Sequence, residues 1–169
     1  MIFQLVDLDE NHFVQTIQIW ENGWHETHSP IAPKELVALR TSESFVSRLR
    51  DNMENARIGV NGGDVLGLCM TRDNELFQLY VSPKAHGQGL AQALLADAEI
   101  RLLDAGHEVA WLSCAVGNER AARFYEKSGW KNVGIRTMNL DETQGISPFQ
   151  VWRFEKRLTS NVEAIFSDS

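Results

Sequence analysis

Two glycines stand one residue apart in Ala85-His86-Gly87-Gln88-Gly89-Leu90-Ala91 and lead directly into a helical apolar pattern. The segment before them, Leu76 to Val81, reads as a strand. A strand entering a helix through Gly-x-Gly points backbone N–H groups outward, and the helix N-terminus adds partial positive charge. Glycine also removes the Cβ that blocks close approach. The chemistry is that of an anion cradle, although a tight structural turn uses the same residues. Two familiar cradles do not fit. No Gly-Lys-Ser/Thr run follows the glycines, and a dinucleotide fingerprint would need Gly or Ala where Gln92 stands. Downstream, Asn118, Ala121, Ala122 and Tyr125 fall on one helical face at spacings of three, four and seven. The alanines leave room beside the helix for a ligand, and Tyr125 adds a hydroxyl. A buried structural tyrosine fits the same pattern, and Phe124 is expected in the core.

Taken together, ELFQLYVSPKAHGQGLAQALL and NERAARFYEKSGW resemble the GNAT superfamily of acyl-CoA-dependent N-acetyltransferases. The pyrophosphate motif of that family is written Gln/Arg-x-x-Gly-x-Gly/Ala. Here it reads His86-Gly87-Gln88-Gly89-Leu90-Ala91, with the last glycine and alanine in place and His86 at the Gln/Arg position. The departure leaves His86 either against a phosphate or on the surface. The resemblance covers about residues 75–131. It implies that the diphosphate of coenzyme A lies on the cradle, with acetyl-CoA as cosubstrate and no metal. The pantetheine arm is then expected between two splayed parallel strands. One offers backbone partners at Leu79, Tyr80 and Val81, and the other is Trp111 to Ala115. Asn118 would contact the arm, with Ala121 and Phe124 beside it and Tyr125 near the sulfur.

The reaction so implied is attack of a neutral amine on a thioester. Strand N–H groups near Leu79 to Val81 would stabilise the oxyanion, and Tyr125 would act as general acid to the leaving thiolate. A tyrosine of pKa about 10 is weaker than a thiol of about 8.5, so full transfer costs about 2 kcal/mol without help from the site. An alkylamine of pKa about 10.4 is only about 0.1% neutral near pH 7.4, whereas an α-amine near 7.7 is about a third neutral. Glu75, at the start of the strand before the cradle, is the candidate base. A solvated strand-end carboxylate is the plainer reading of the same residue. Ser113 stands where some relatives that acetylate protein N-termini carry glutamate. An acyl-enzyme through Cys114 is disfavoured because no neighbour in sequence activates that thiol.

These groups need a scaffold. At 169 residues the chain suits one domain, expected over 1–158 with a polar tail at 159–169. The fold class is α/β (α+β): a mixed, mostly antiparallel sheet of about seven strands with helices on both faces. Strands are expected at IFQLV, Arg57 to Val60, Val65 to Thr71, Leu76 to Val81, Val109 to Cys114, and near Val133 to Leu140 and Phe149 to Leu158. In the fourth strand, alternation puts Phe77, Leu79 and Val81 on one face and Leu76, Gln78 and Tyr80 on the other. Helices are expected over Asn11 to Glu21, Pro33 to Arg40, Ser42 to Asn52, from the cradle to Ala105, and over Asn118 to Lys127. NGWHETHSPIAP, with glycine, histidines and two prolines, reads as a loop. Its His25, Glu26 and His28 fall where relatives recognise the acceptor. His-x-x-His without a third ligand is not read as a metal site.

Net charge of −7 argues against a nucleic-acid partner and is compatible with an amine acceptor. Cys69 and Cys114 read as buried small hydrophobes. No long apolar run or basic leader is present, so a cytoplasmic protein with no membrane partner is the expectation. The resemblance allows a homodimer. The competing functions are a non-catalytic acyl-CoA-binding module and an interaction domain presenting Trp20 and Trp24. The acceptor surface is expected from the N-terminal helices and the Asp141 to Phe149 loop.

Overall fold

The computed structural model describes residues 2–138 and 148–160. The predicted end of the sixth strand at 139–140, most of the following acceptor loop and most of the C-terminal tail lie outside these residues. Seven strands form one sheet in the order β1-β2-β3-β4-β5-β7-β6. They are β1 (Gln4–Asp7), β2 (Ala56–Asn61), β3 (Asp64–Arg72), β4 (Glu75–Val81), β5 (Val109–Ala115), β6 (Lys131–Met138) and β7 (Phe149–Arg157). All neighbouring pairs are antiparallel except β4 and β5. Among the described residues, five α-helices pack around the sheet: α1 (Phe13–His28), α2 (Lys34–Leu39), α3 (Ser42–Asp51), α4 (Leu90–Asp104) and α5 (Glu119–Lys127). None of the described helices is long and apolar enough to cross a membrane.

Each face of the sheet carries its own core. On one face Phe13, Ile17, Trp20 and Trp24 of α1, with Phe45 and Leu49 of α3, pack on Ile58, Leu68 and Met70. On the other, Leu90, Leu94, Leu95, Ala98 and Leu102 of α4, with Ala122 of α5, cover Cys69, Leu112 and Phe154. Helices therefore lie on both sides, as the periodicity predicts.

Two expectations need correction. The segment from Asn22 to His28 is helical and continues α1. Trp24 falls on the stripe of Phe13, Ile17 and Trp20 and is buried with them. Burying that indole outweighs the poor helix propensity of one glycine. Gly23 lies against the Tyr80 ring, and a Cβ there would sit 2.6 Å from Tyr80 Cδ1. Trp20 and Trp24 consequently form core, not a contact surface. The second correction concerns β4. Met70 pairs with Gln78 but Thr71 pairs with Leu76, so Phe77 is an extra residue in β4. This bulge resets the alternation. Leu76, Leu79 and Val81 pack on the α4 side, while Phe77 and Tyr80 pack on the α1 side.

Candidate active site

The parallel pair is barely a pair. β4 and β5 are seven residues each, yet their register is the single match Glu75 with Trp111. Asn74 clasps this closed end: its carbonyl accepts from the Trp111 N–H at 3.1 Å, and its side-chain amide donates to the Val109 carbonyl at 3.0 Å. Beyond that point the strands separate. Leu79, Tyr80 and Val81 pair with β3 on one side and have no strand on the other. The opening is part of a cleft of about 1420 Å³ lined by residues of both faces, among them Glu75, Val81, Gly89, Asn118 and Tyr125.

The cradle closes the wide end. Gly87 and Gly89 have φ of +76° and +86°, in the left-handed region that other residues enter at a cost. A side chain at Gly87 would meet nothing within 4 Å, and at Gly89 only the tip of Gln92. That space is available to a ligand. α4 begins without a side-chain cap, and the N–H groups of Gly87, Gly89, Leu90 and Ala91 have no acceptor among the described residues. Four free donors at one helix start fit a diphosphate. Gln88 differs from its neighbours: its N–H is taken by the Ala85 carbonyl at 3.2 Å, and it does not line the cleft. His86 folds back so that Nε2 lies 3.1 Å from the Val81 carbonyl. Its Nδ1 is 3.4 Å from Arg120 Nη2 at the start of α5. Arg120 and Lys84, which no motif singled out, line the cleft beside the cradle; cations on opposite flanks of a glycine turn leave no local spacing to find.

On α5, Asn118 accepts from the Ala121 N–H at 3.3 Å and so caps the helix as well as lining the cleft. Phe124 is half-buried: it packs against the α4-side core and also lines the cleft. Tyr125 packs among Phe124, Trp130 and Phe154 in edge-on and tilted contacts, with ring centroids 5.3, 6.3 and 5.9 Å away. Three aromatic neighbours fix the ring, and its hydroxyl has no partner among the described residues.

The profile of the Acetyltransferase (GNAT) family matches residues 11–130, most of the chain. The protein is a member of the GNAT family. An uncharacterized N-acetyltransferase of Mycobacterium tuberculosis is 31% identical over 119 residues, covering 65% of this chain and 76% of that one. The aminoalkylphosphonate N-acetyltransferase of Salmonella typhimurium is 29% identical over 104 residues, covering 56% and 68%. The solved PaiA N-acetyltransferase of Thermoplasma acidophilum, in complex with coenzyme A, shares the fold with a TM-score of 0.65 at 18% identity over 93% of this chain and 99% of its own.

As a GNAT acyltransferase, the chain brings Glu75 and Tyr125 to one cleft from opposite faces of the sheet. Glu75 is buried and accepts from Arg72 Nη2 at 2.9 Å. Arg72 itself stacks on Phe77, 3.9 Å from the ring centroid, which places the pair on the α1 side. Burial raises the Glu75 pKa despite the opposing pull of Arg72 and Arg153. Burial likewise holds the Tyr125 phenol well above its ordinary value. The hydroxyl therefore stays a neutral donor at any working pH. The Cys114 thiol is pushed up to about 12, also by burial, and remains protonated. His25 is committed to structure, with Nδ1 2.9 Å from Ser29 Oγ and Nε2 2.7 Å from the Arg40 carbonyl. No metal-binding cluster occurs among the described residues.

Proposed function

We propose that the protein transfers the acetyl group of acetyl-CoA directly to a primary amine of a small molecule or peptide. The observation that carries this reading is the splay of β4 from β5, closed at Glu75 and Trp111 and leading to four unpaired N–H groups. The gap accepts an extended amide-bearing arm as a strand would, and the cradle accepts the diphosphate at its end. The reactive carbonyl then falls between Glu75 and Tyr125.

Glu75 is the base. Its raised pKa brings it nearer the pKa of the ammonium that must lose a proton, so it is a better acceptor than a solvated carboxylate. Tyr125 serves the leaving sulfur chiefly as a hydrogen-bond donor, because a phenol held well above 10 is a poor proton source. The free edge of β4 at Leu79 to Val81 offers N–H groups to the developing oxyanion. His86 shapes the turn through Val81, and Arg120 adds charge at its rim. The aminoalkylphosphonate enzyme, by its name, acts on a small amine, which agrees with this acceptor class.

The test is thermal melting with acetyl-CoA, followed by thiol release across an amine panel. Acetyl-CoA at 100 times its dissociation constant should add about 2.7 kcal/mol of stability. Absence of any shift in folded protein removes the donor-site assignment.

A further inference from the structure

Arg40 and Arg48 are charges that acetyl transfer leaves unexplained. Arg40 follows α2 and Arg48 lies in α3, and both line the cleft on the α1 side of the sheet, away from the cradle. Neither takes part in any ion pair among the described residues. Arg40 Nε and Arg48 Nη1 are buried without a hydrogen-bond partner there. Aromatic rings hold them instead. Arg48 Cζ lies 4.5 Å from the Trp20 centroid and 5.6 Å from that of Phe45, and Arg40 Cζ lies 5.9 Å from Trp24. A guanidinium held by cation–π contact leaves its N–H groups without an anionic acceptor, which an oxyanion can supply.

Among the described residues, nothing nearby supplies the missing negative charge. His28 stacks on Trp24 at 5.0 Å; burial lowers its pKa to about 4, so it is neutral. Gln78 is engaged by the Trp20 indole N–H at 3.2 Å. The Tyr80 phenol is held protonated by burial. Glu75 is paired with Arg72, and the other lining carboxylates, Glu26 and Asp64, are exposed. Arg48 has its pKa lowered to about 10, first by burial and then by repulsion from Arg40 and Arg72. A chain of net charge −7 thus keeps in its cleft two cations that have no ion-pair partner among the described residues. Such burial is costly unless a counter-ion completes it.

We propose that Arg40 and Arg48 form an anion subsite in the acceptor half of the cleft, so that the acceptor is a primary amine carrying an oxyanion at its other end. The proposal rests on the acetyl-transfer reading. The tail is a carboxylate, phosphonate or phosphate; it docks on the guanidinium edges and turns the amine toward Glu75. The subsite also separates the two ends by charge: the cations repel the ammonium and draw the tail.

The experiment compares thiol release from propylamine, 4-aminobutyrate and 3-aminopropylphosphonate in the wild type, Arg40→Met and Arg48→Met. Melting with acetyl-CoA is recorded for each protein. The expected result is a KM at least about tenfold lower for an anion-bearing amine than for propylamine. Carboxylate and phosphonate tails are told apart by which has the lower KM. Each Met variant should erode the preference about 10- to 100-fold through KM. Methylphosphonate or acetate should compete with the amine in the wild type, an arm that survives misfolding of a variant. Equal use of propylamine and both anionic amines overturns the subsite while leaving acetyl transfer intact. So does a loss in the variants of acetyl-CoA binding with no change in amine preference. An acetyl-CoA shift with no release from either anionic amine overturns it too. No shift and no release from any amine overturns the underlying reading as well.

Discussion

The proposed donor half and the proposed acceptor half of the cleft are built from different materials. The donor half is backbone: the open edge of β4, two left-handed glycines and four free N–H groups at the start of α4. The acceptor half is side chain: Glu75, Arg72, Arg40, Arg48 and the rings of α1 and α3 that hold them. Backbone recognition fixes a ligand common to many enzymes and tolerates sequence change, as His86 at a Gln/Arg position illustrates. Side-chain recognition can be replaced residue by residue without disturbing the donor site. On the proposed reading, specificity would reside on the α1 side and recognition of the donor on the α4 side.

Replacements on either side should break this comparison in opposite ways. The largest effect is expected from Glu75→Gln, which should lower kcat/KM by about 10²- to 10⁴-fold with acetyl-CoA affinity kept. The wild-type rate should rise with pH through a carboxyl pKa above the ordinary Glu value, and the variant should lose that limb. The folded carboxyl has the raised pKa, so Glu75 withdraws stability as pH rises from the unfolded pKa through the folded one. Glu75→Gln should consequently melt higher at neutral pH than at pH 4 relative to wild type; an unchanged difference would remove the desolvation account. On the donor side, Gly89→Val forces a β-branched residue to φ +86°. It should weaken acetyl-CoA binding about 100-fold by calorimetry, whatever the amine.

Gly23→Ala tests the seam between the halves. Its Cβ would lie 2.6 Å from the Tyr80 ring, so a loss of about 2 kcal/mol of stability is expected. Urea titration measures that loss, and the amine KM should rise more than the acetyl-CoA KM. The smallest effect is Tyr125→Phe, about tenfold in kcat, since the hydroxyl donates a hydrogen bond rather than a full proton. An unchanged kcat in steady-state assays takes Tyr125 out of the chemistry.

The same division explains what could be read in the chain. Gly87-Gln88-Gly89 with the Leu90, Leu94, Ala98 and Leu102 stripe is a local signal, and it marks both the glycine turn and α4. The Asn61 to Asp64 turn between β2 and β3 was equally local. The Asn22 to His28 segment reads as loop in sequence because the indole that makes it helical is buried against distant residues such as Phe45. The bulge at Phe77 leaves no mark in β4 itself; it is defined by register against β3. Arg40 and Arg48 sit at the ends of ordinary amphipathic patterns. Only the absence of acidic partners among the described residues distinguishes them, and absence has no sequence motif.

The separation of β4 from β5 has a price in solution behaviour. An open sheet of seven strands has two edges, at β1 and β6. The split through its middle adds two more, each a row of backbone donors and acceptors without a neighbour. Such edges template pairing between chains, which natural sheets ordinarily guard against. Here the guard is recessed position, since α1 and α4 overhang the split from either face. Whatever fills the split acts as an eighth strand, so occupancy by the donor should protect this protein from self-association as well as from heat.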